Sequence, residues 1–122
     1  MNSKAILIAL SCAALLIASC SARKGVTVCL LPKKKGVPYF TSCAKGAEEA
    51  AKELGINLIY DGPTDGSPEK QASMIEQWTL QGVNVIAVSP NDPAVLAPAL
   101  RKARKAGVKV LRRGGKVTDG LG

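Results

Sequence analysis

The chain has 122 residues, 17 basic and 9 acidic side chains for a formal charge of +8, and no histidine. Past its N-terminal apolar segment there is enough sequence for one small domain and too little for two. Without histidine, no histidine-containing zinc or haem site is available.

Met1 to Lys4 give a short basic start, and Ala5 to Ala18 form an apolar run broken by Ser11. This is the pattern of a secretory signal, with an apolar core too short to anchor stably across a bilayer. Its end, Ile17-Ala18-Ser19-Cys20, resembles a bacterial lipobox. That resemblance implies that Cys20 carries a diacylglycerol thioether and becomes the mature N-terminus. Residues 1–19 are accordingly expected to be the signal and residues 20–25 a tether. The expected location is the cell envelope, lipid-anchored and facing the periplasmic or extracellular side.

Val26 to Leu31 is a continuous apolar, β-branched run, as in a strand buried on both faces. Phe40, Ala44, Ala47, Ala51 and Leu54 then recur at helical spacing, and Gly55 supplies a stop. Ile56 to Tyr60 reads as a second strand, and the Gly- and Pro-rich Asp61 to Pro68 as a loop. Pro68 opens a second helix with Glu69 in its first turn, Ala72, Ile75 and Trp78 on its core face and Gly82 at its end. Val83 to Val88 is the third strand. Asp92-Pro93 is an N-cap followed by proline at the first helical position. Leu96, Leu100 and Ala103 form the stripe of the third helix, Gly107 stops it, and Val108 to Leu111 is the fourth strand.

Strands alternating with helices predict an α/β domain, a parallel sheet with helices on both faces. Right-handed crossovers select a flavodoxin-like strand order of 2-1-3-4. No GxGxxG, P-loop or nucleophile elbow follows any strand, and no acid–base pair or metal cluster stands out, so an enzyme is not expected. No cofactor is expected either. Cys29 lies in an apolar run and Cys43 on a helical pattern; two buried thiols are the simpler expectation, with a bridge between them left open. From Arg101 onward there are eight basic residues and one acid, Asp119. This reads as a solvated face and tail, with an anionic membrane surface as the functional alternative. The export signal argues against nucleic acid.

With order 2-1-3-4, the strand order reverses between strands one and three, where open parallel sheets bind ligands. The loops there are Pro32 to Tyr39 and Ser89 to Asp92. Leu31-Pro32-Lys33 and Gly36-Val37-Pro38-Tyr39-Phe40 resemble the first strand and loop of the type I periplasmic sugar-binding proteins, especially the rhamnose and autoinducer-2 branch. The stretch Lys45 to Gly55, Tyr60-Asp61-Gly62-Pro63-Thr64 and Ala87-Val88-Ser89-Pro90-Asn91-Asp92-Pro93 continue the likeness, which runs from about Gly25 to Leu111. The resemblance implies a solute receptor that closes two lobes over a small sugar or sugar-like ligand and presents it to an ABC permease. Residues 26–111 would be the N-terminal lobe.

By the same resemblance, Lys33 would donate to ligand oxygens, Tyr39 and Phe40 would stack on the carbon face of a sugar, and Asn91 and Asp92 would stand at the cleft. From the residues alone, Lys33 belongs to a solvated lysine run, Phe40 reads as core and Asp92 as a helix cap. Lys34, Lys35 and Gln71 read as solvated surface. After Leu111 the family pattern continues with Trp and a pair of Asp, whereas residues 112–122 here are a basic, Gly-rich tail. The expectation is a receptor lobe that is truncated and impaired, its tail the product of a shifted reading frame or, alternatively, an RGG-like segment. A lone lipid-anchored lobe acting as an envelope interaction module is the other function consistent with these features.

Overall fold

The computed structural model describes residues 25–113; the signal, Cys20 and residues 114–122 lie outside the described residues. Seven elements follow in strict alternation: β1 (Thr27–Leu31), α1 (Pro38–Leu54), β2 (Asn57–Tyr60), α2 (Pro68–Gln81), β3 (Val85–Val88), α3 (Pro93–Lys105) and β4 (Lys109–Arg112). The four strands form one parallel sheet in the order β2-β1-β3-β4, as the alternation predicts. Each helix opens on a proline, whose fixed φ suits the first turn and whose missing N–H would be unpaired there anyway. Ser67 Oγ caps α2 by accepting from Lys70 N at 3.1 Å, and the Asp92 carboxylate caps α3 by accepting from Ala94 N at 2.8 Å and Val95 N at 3.3 Å. Gly55 and Gly82 end α1 and α2 in the left-handed conformation.

Strand alternation sends two cross-strand rows to opposite faces. Ile59, Cys29, Ile86 and Val110 are in register across all four strands and face α2 and α3. With Leu31, Ile75, Trp78, Val83, Val88, Leu96, Leu100 and Val108 they make the core. The opposite row, Tyr60, Leu30, Ala87 and Leu111, lies on the face that carries α1.

The two faces are not equally covered. Four strands span about 14 Å and a helix with its side chains is about 10 Å wide, so two helices cover the sheet and one does not. The expectation that β1 is buried on both faces is therefore corrected. Cys29 and Leu31 are fully buried, but Val28 and Leu30 are only half-buried. The stripe of α1 is thinned for the same reason: Ala44 and Ala51 are buried, Phe40 and Ala47 partly so, and Leu54 is exposed. Cys29 and Cys43 are free thiols on opposite sides of the sheet, which closes the question of a bridge between them. Burial pushes the Cys29 thiol up to about 11, so it stays protonated and unreactive.

This asymmetry makes a direct prediction. Ile86→Ala, in the two-helix core, should lower the unfolding free energy by about 2–5 kcal/mol in denaturant titration. Leu80→Ala, on the open flank of α2, should change it by less than about 0.5 kcal/mol. Equal costs at the two positions would show that the core is misplaced.

Candidate functional site

The loops that follow β1, β2 and β3 meet at the carboxyl end of the sheet, and buried side chains and backbone set their positions. Gln71, in the first turns of α2, is fully buried. Its Nε2 donates to the carbonyls of Pro32 (2.9 Å) and Ser89 (3.0 Å), and its Oε1 accepts from Asn91 N at 2.9 Å. One amide thus ties the loop after β1 to the loop after β3, across the point where the strand order reverses. The reading of Gln71 as solvated surface is corrected. It stands on the same stripe as Ile75 and Trp78, and a polar side chain on a core stripe must find buried partners. That signal was present in the sequence.

A second tie runs from Asn91 Nδ2 to the Lys33 carbonyl at 2.6 Å. The third loop closes against these two. Gly62 packs so near Pro32 that a Cβ there would stand 2.9 Å from the proline Cγ, and Gly66, at φ +75°, passes beside the Asn91–Lys33 bond. Lys35 is likewise drawn out of the purely solvated role expected for it. Its N–H donates to Pro63 O, and its ammonium meets Asp61 Oδ1 at 2.9 Å. The Lys35 ammonium holds the Asp61 carboxyl below the ordinary carboxylate range, outweighing partial desolvation, and the Gly62 N–H adds to the effect. Both groups are about half exposed, so the pair orders the loops more than it stabilises the fold.

Beside this clamp, α1 and the uncovered half of the sheet enclose a cavity of about 190 Å³. Its floor is the row Tyr60, Leu30, Ala87 and Leu111; its wall is Tyr39, Phe40 and Cys43. Tyr39 and Phe40 meet edge to face with ring centroids 5.2 Å apart. The Arg113 guanidinium lies 5.7 Å from the Tyr39 ring centroid. Arg112, expected as the first residue of a tail, is the last residue of β4, and Arg113 N continues the ladder to Val88 O at 3.0 Å. The Tyr60 hydroxyl is buried beside the cavity without a hydrogen-bond partner among the described residues.

The expected residues thus fall into three places. Lys33 and Asn91 are joined on the open face of the clamp, with the Lys33 side chain exposed. Tyr39, 54% exposed, and Phe40 form the lip and wall of the cavity. Asp92 sits at the same end with its carboxylate engaged in the α3 cap. Among the described residues no cluster of Cys, Asp and Glu is placed to hold a metal ion. The arrangement offers ammonium and amide donors beside aromatic surface, a combination that suits hydroxyl-bearing molecules with an apolar face.

Comparison with known proteins supplies the family. The periplasmic binding protein domain profile matches residues 28–111. The ribose import binding protein RbsB of Bacillus subtilis is 33% identical over 90 residues, covering 73% of this chain and 29% of that protein. Its Escherichia coli counterpart is 26% identical over 121 residues, covering 98% of this chain and 40% of that protein. The structure of LsrB from Clostridium saccharobutylicum in complex with AI-2 superposes with a TM-score of 0.74 at 34% identity, covering 79% of this chain and 29% of that one. A solute-binding protein from Burkholderia graminis in complex with D-arabinose gives 0.73 at 31% identity, covering 80% and 34%. The chain therefore spans about a third of the length of these relatives.

The clamp predicts its own mutational signature. Gln71→Leu leaves two carbonyls and one N–H without partners and should cost roughly 3 kcal/mol or more of stability. Gln71→Glu sets a carboxylate against the same two carbonyls. Its folded pKa is then raised above the unfolded value, so stability recovers in part below about pH 4 and is lost as pH rises. Unfolding titrations at pH 3.5 and pH 7 check both. A Gln71→Leu variant within about 1 kcal/mol of the parent would show that the amide does not hold the loops.

Proposed function

Because the chain belongs to the periplasmic binding protein family, we propose that it is the N-terminal, ligand-contacting lobe of a solute-binding lipoprotein that serves an ABC importer for a small sugar. The observation that carries this reading is the joining of the β1 and β3 loops at the reversal of strand order, with Lys33, Tyr39 and Asn91 on them or beside them. The similar proteins bind ribose, allose, arabinose or AI-2 by their names. Sugars of this class, with a rhamnose- or autoinducer-2-like molecule among them, are the proposed ligands. Lys33 supplies hydrogen-bond donors to ligand hydroxyls. Tyr39 and Phe40 supply the aromatic surface, and Asn91 and Asp92 shape the rim through the backbone they fix. The partners are the sugar, the permease of the importer, and the membrane through a lipid on Cys20.

The described residues present one open face, on which a sugar keeps much of its water. Calorimetry on the 122-residue chain should therefore give a Kd no tighter than about 1 mM, near 4 kcal/mol of binding free energy, for ribose, arabinose, allose, rhamnose and AI-2. Backbone amide shifts in the same titration should concentrate at Lys33, Tyr39 and Asn91, and Lys33→Ala should reduce the response several-fold. Shifts confined to other regions, or none at tens of millimolar sugar, would overturn the assignment.

Lipidation has a separate test. Mass spectrometry of the membrane fraction should find an N-terminal peptide beginning at Cys20 with a diacylglyceryl adduct. A soluble product cleaved elsewhere would rule it out.

A further inference from the structure

In this parallel sheet every strand starts, and every helix finishes, at the end of the domain opposite the clamped loops. Half of the large exposed hydrophobic side chains among the described residues lie at that end. Leu54 closes α1 and is 71% exposed; Leu80, in the last turn of α2, is 81% exposed; Val26, just before β1, is 47% exposed. Singly, such residues are ordinary. Here they share one end with exposed Lys52 in the last turn of α1, Lys105 at the end of α3 and Lys109 at the start of β4. Val26 and Lys109 line a common shallow hollow with Gly82 and Ala106, and Gly25 lines a second one with Gln81 and Gly82. One acid among the described residues, Glu53, belongs to the last turns at this end; Glu49 lies farther up α1, and Glu76, farther up α2, is paired with Lys102.

We propose that this end of the domain is a docking surface for a lipid bilayer with anionic headgroups. Exposed leucines and lysines at one end match the composition of interfacial membrane contacts: the apolar side chains enter the headgroup boundary and the lysines are drawn to the negative surface. Lysine stems place their ammonium groups at headgroup level while their methylenes stay with the leucines. The position of the chain's start agrees. Gly25 emerges at this end, and five residues span at most about 17 Å, so Cys20 lies within reach of the same surface. This last point rests on the lipid anchor proposed above, whereas the docking surface does not. Docked in this way, the domain turns its ligand loops away from the bilayer.

The test uses the unlipidated 122-residue chain and vesicles of phosphatidylcholine alone or with about 30% phosphatidylglycerol. The apolar N-terminal segment is common to every variant, so the ratio of binding to the two vesicle types isolates the charged surface. The protein is expected to favour the anionic vesicles by about tenfold or more, and high salt should erase most of that preference. Lys105→Glu/Lys109→Glu should bring the ratio close to one. Leu54→Ser/Leu80→Ser should weaken binding to both vesicle types several-fold. Lys34→Glu/Lys45→Glu, the same charge change away from this end, should leave the ratio within about twofold of the parent. A preference that survives the first pair of reversals, or falls equally with the control pair, would overturn the proposal. Tighter retention on duplex DNA than on anionic vesicles would also overturn it. Because no lipidated protein is used, the result is independent of the mass spectrometry on Cys20.

Discussion

The carboxyl end of this domain depends on one buried amide. Gln71 meets two carbonyls and one N–H, and a primary amide offers the matching set of donors and acceptor in a single planar group. A hydroxyl reaches less far, a carboxylate has no proton to donate at neutral pH, and an apolar side chain leaves all three groups unpaired. The loops after β1 and β3 would otherwise have to pair these groups with water. Ser89 N donating to Leu31 O at 2.9 Å extends the sheet ladder to the edge of the clamp, so the ladder and Gln71 together fix the first residues of both loops. Once these loops are set, the Asn91–Lys33 bond and the close approach of Gly62 to Pro32 follow as packing around a fixed centre.

Uneven coverage of the sheet is the second constraint. Two helices on one face bury Cys29 and Ile86 completely and Ile59 and Val110 at its edges in part; a single helix on the other leaves the row from Tyr60 to Leu111 partly open. The cavity beside Tyr39 and Phe40 is a consequence of that geometry. It lies next to the clamp because α1 begins there, directly after the loop that Gln71 holds. The aromatic side chains and the polar loop are therefore neighbours through topology, with no separate structural device needed to join them.

Much of the fold was legible because its signals are local. Alternating apolar runs, the Asp92-Pro93 start, and Gly55 and Gly82 at helix ends each act within a few residues, and the crossover rule then leaves one leading strand order. The site was less legible because its contacts join residues far apart in sequence. Lys35 and Asp61 look like solvated charges until two loops bring them together. Arg112 and Arg113 look like the start of a tail, yet the ladder runs through them. Gln71 was the exception: its place between apolar neighbours at helical spacing marked it, and reading it by polarity alone hid the buried partner that such a position requires. Burial of β1 was overestimated for a related reason. An apolar run states what a strand can bury, and the number of helices on each face decides what it does bury.

The same topology separates two kinds of surface. Parallel strands send every loop that follows a strand to one end and every helix C-terminus to the other. The first end collects the hydrogen-bonded loops, where Gln71 and Asn91 pair the carbonyls of Pro32, Lys33 and Ser89. The second collects helix-terminal residues such as Leu54, Leu80 and Lys105, which no neighbouring element within the described residues covers. The C-termini of three helices also bring partial negative charge to that end, which Lys52 and Lys105 offset. A domain of this build has one end of interlocked polar loops and an opposite end of exposed leucines and lysines. The fold itself points these two ends in opposite directions, so a contact made at one leaves the other open.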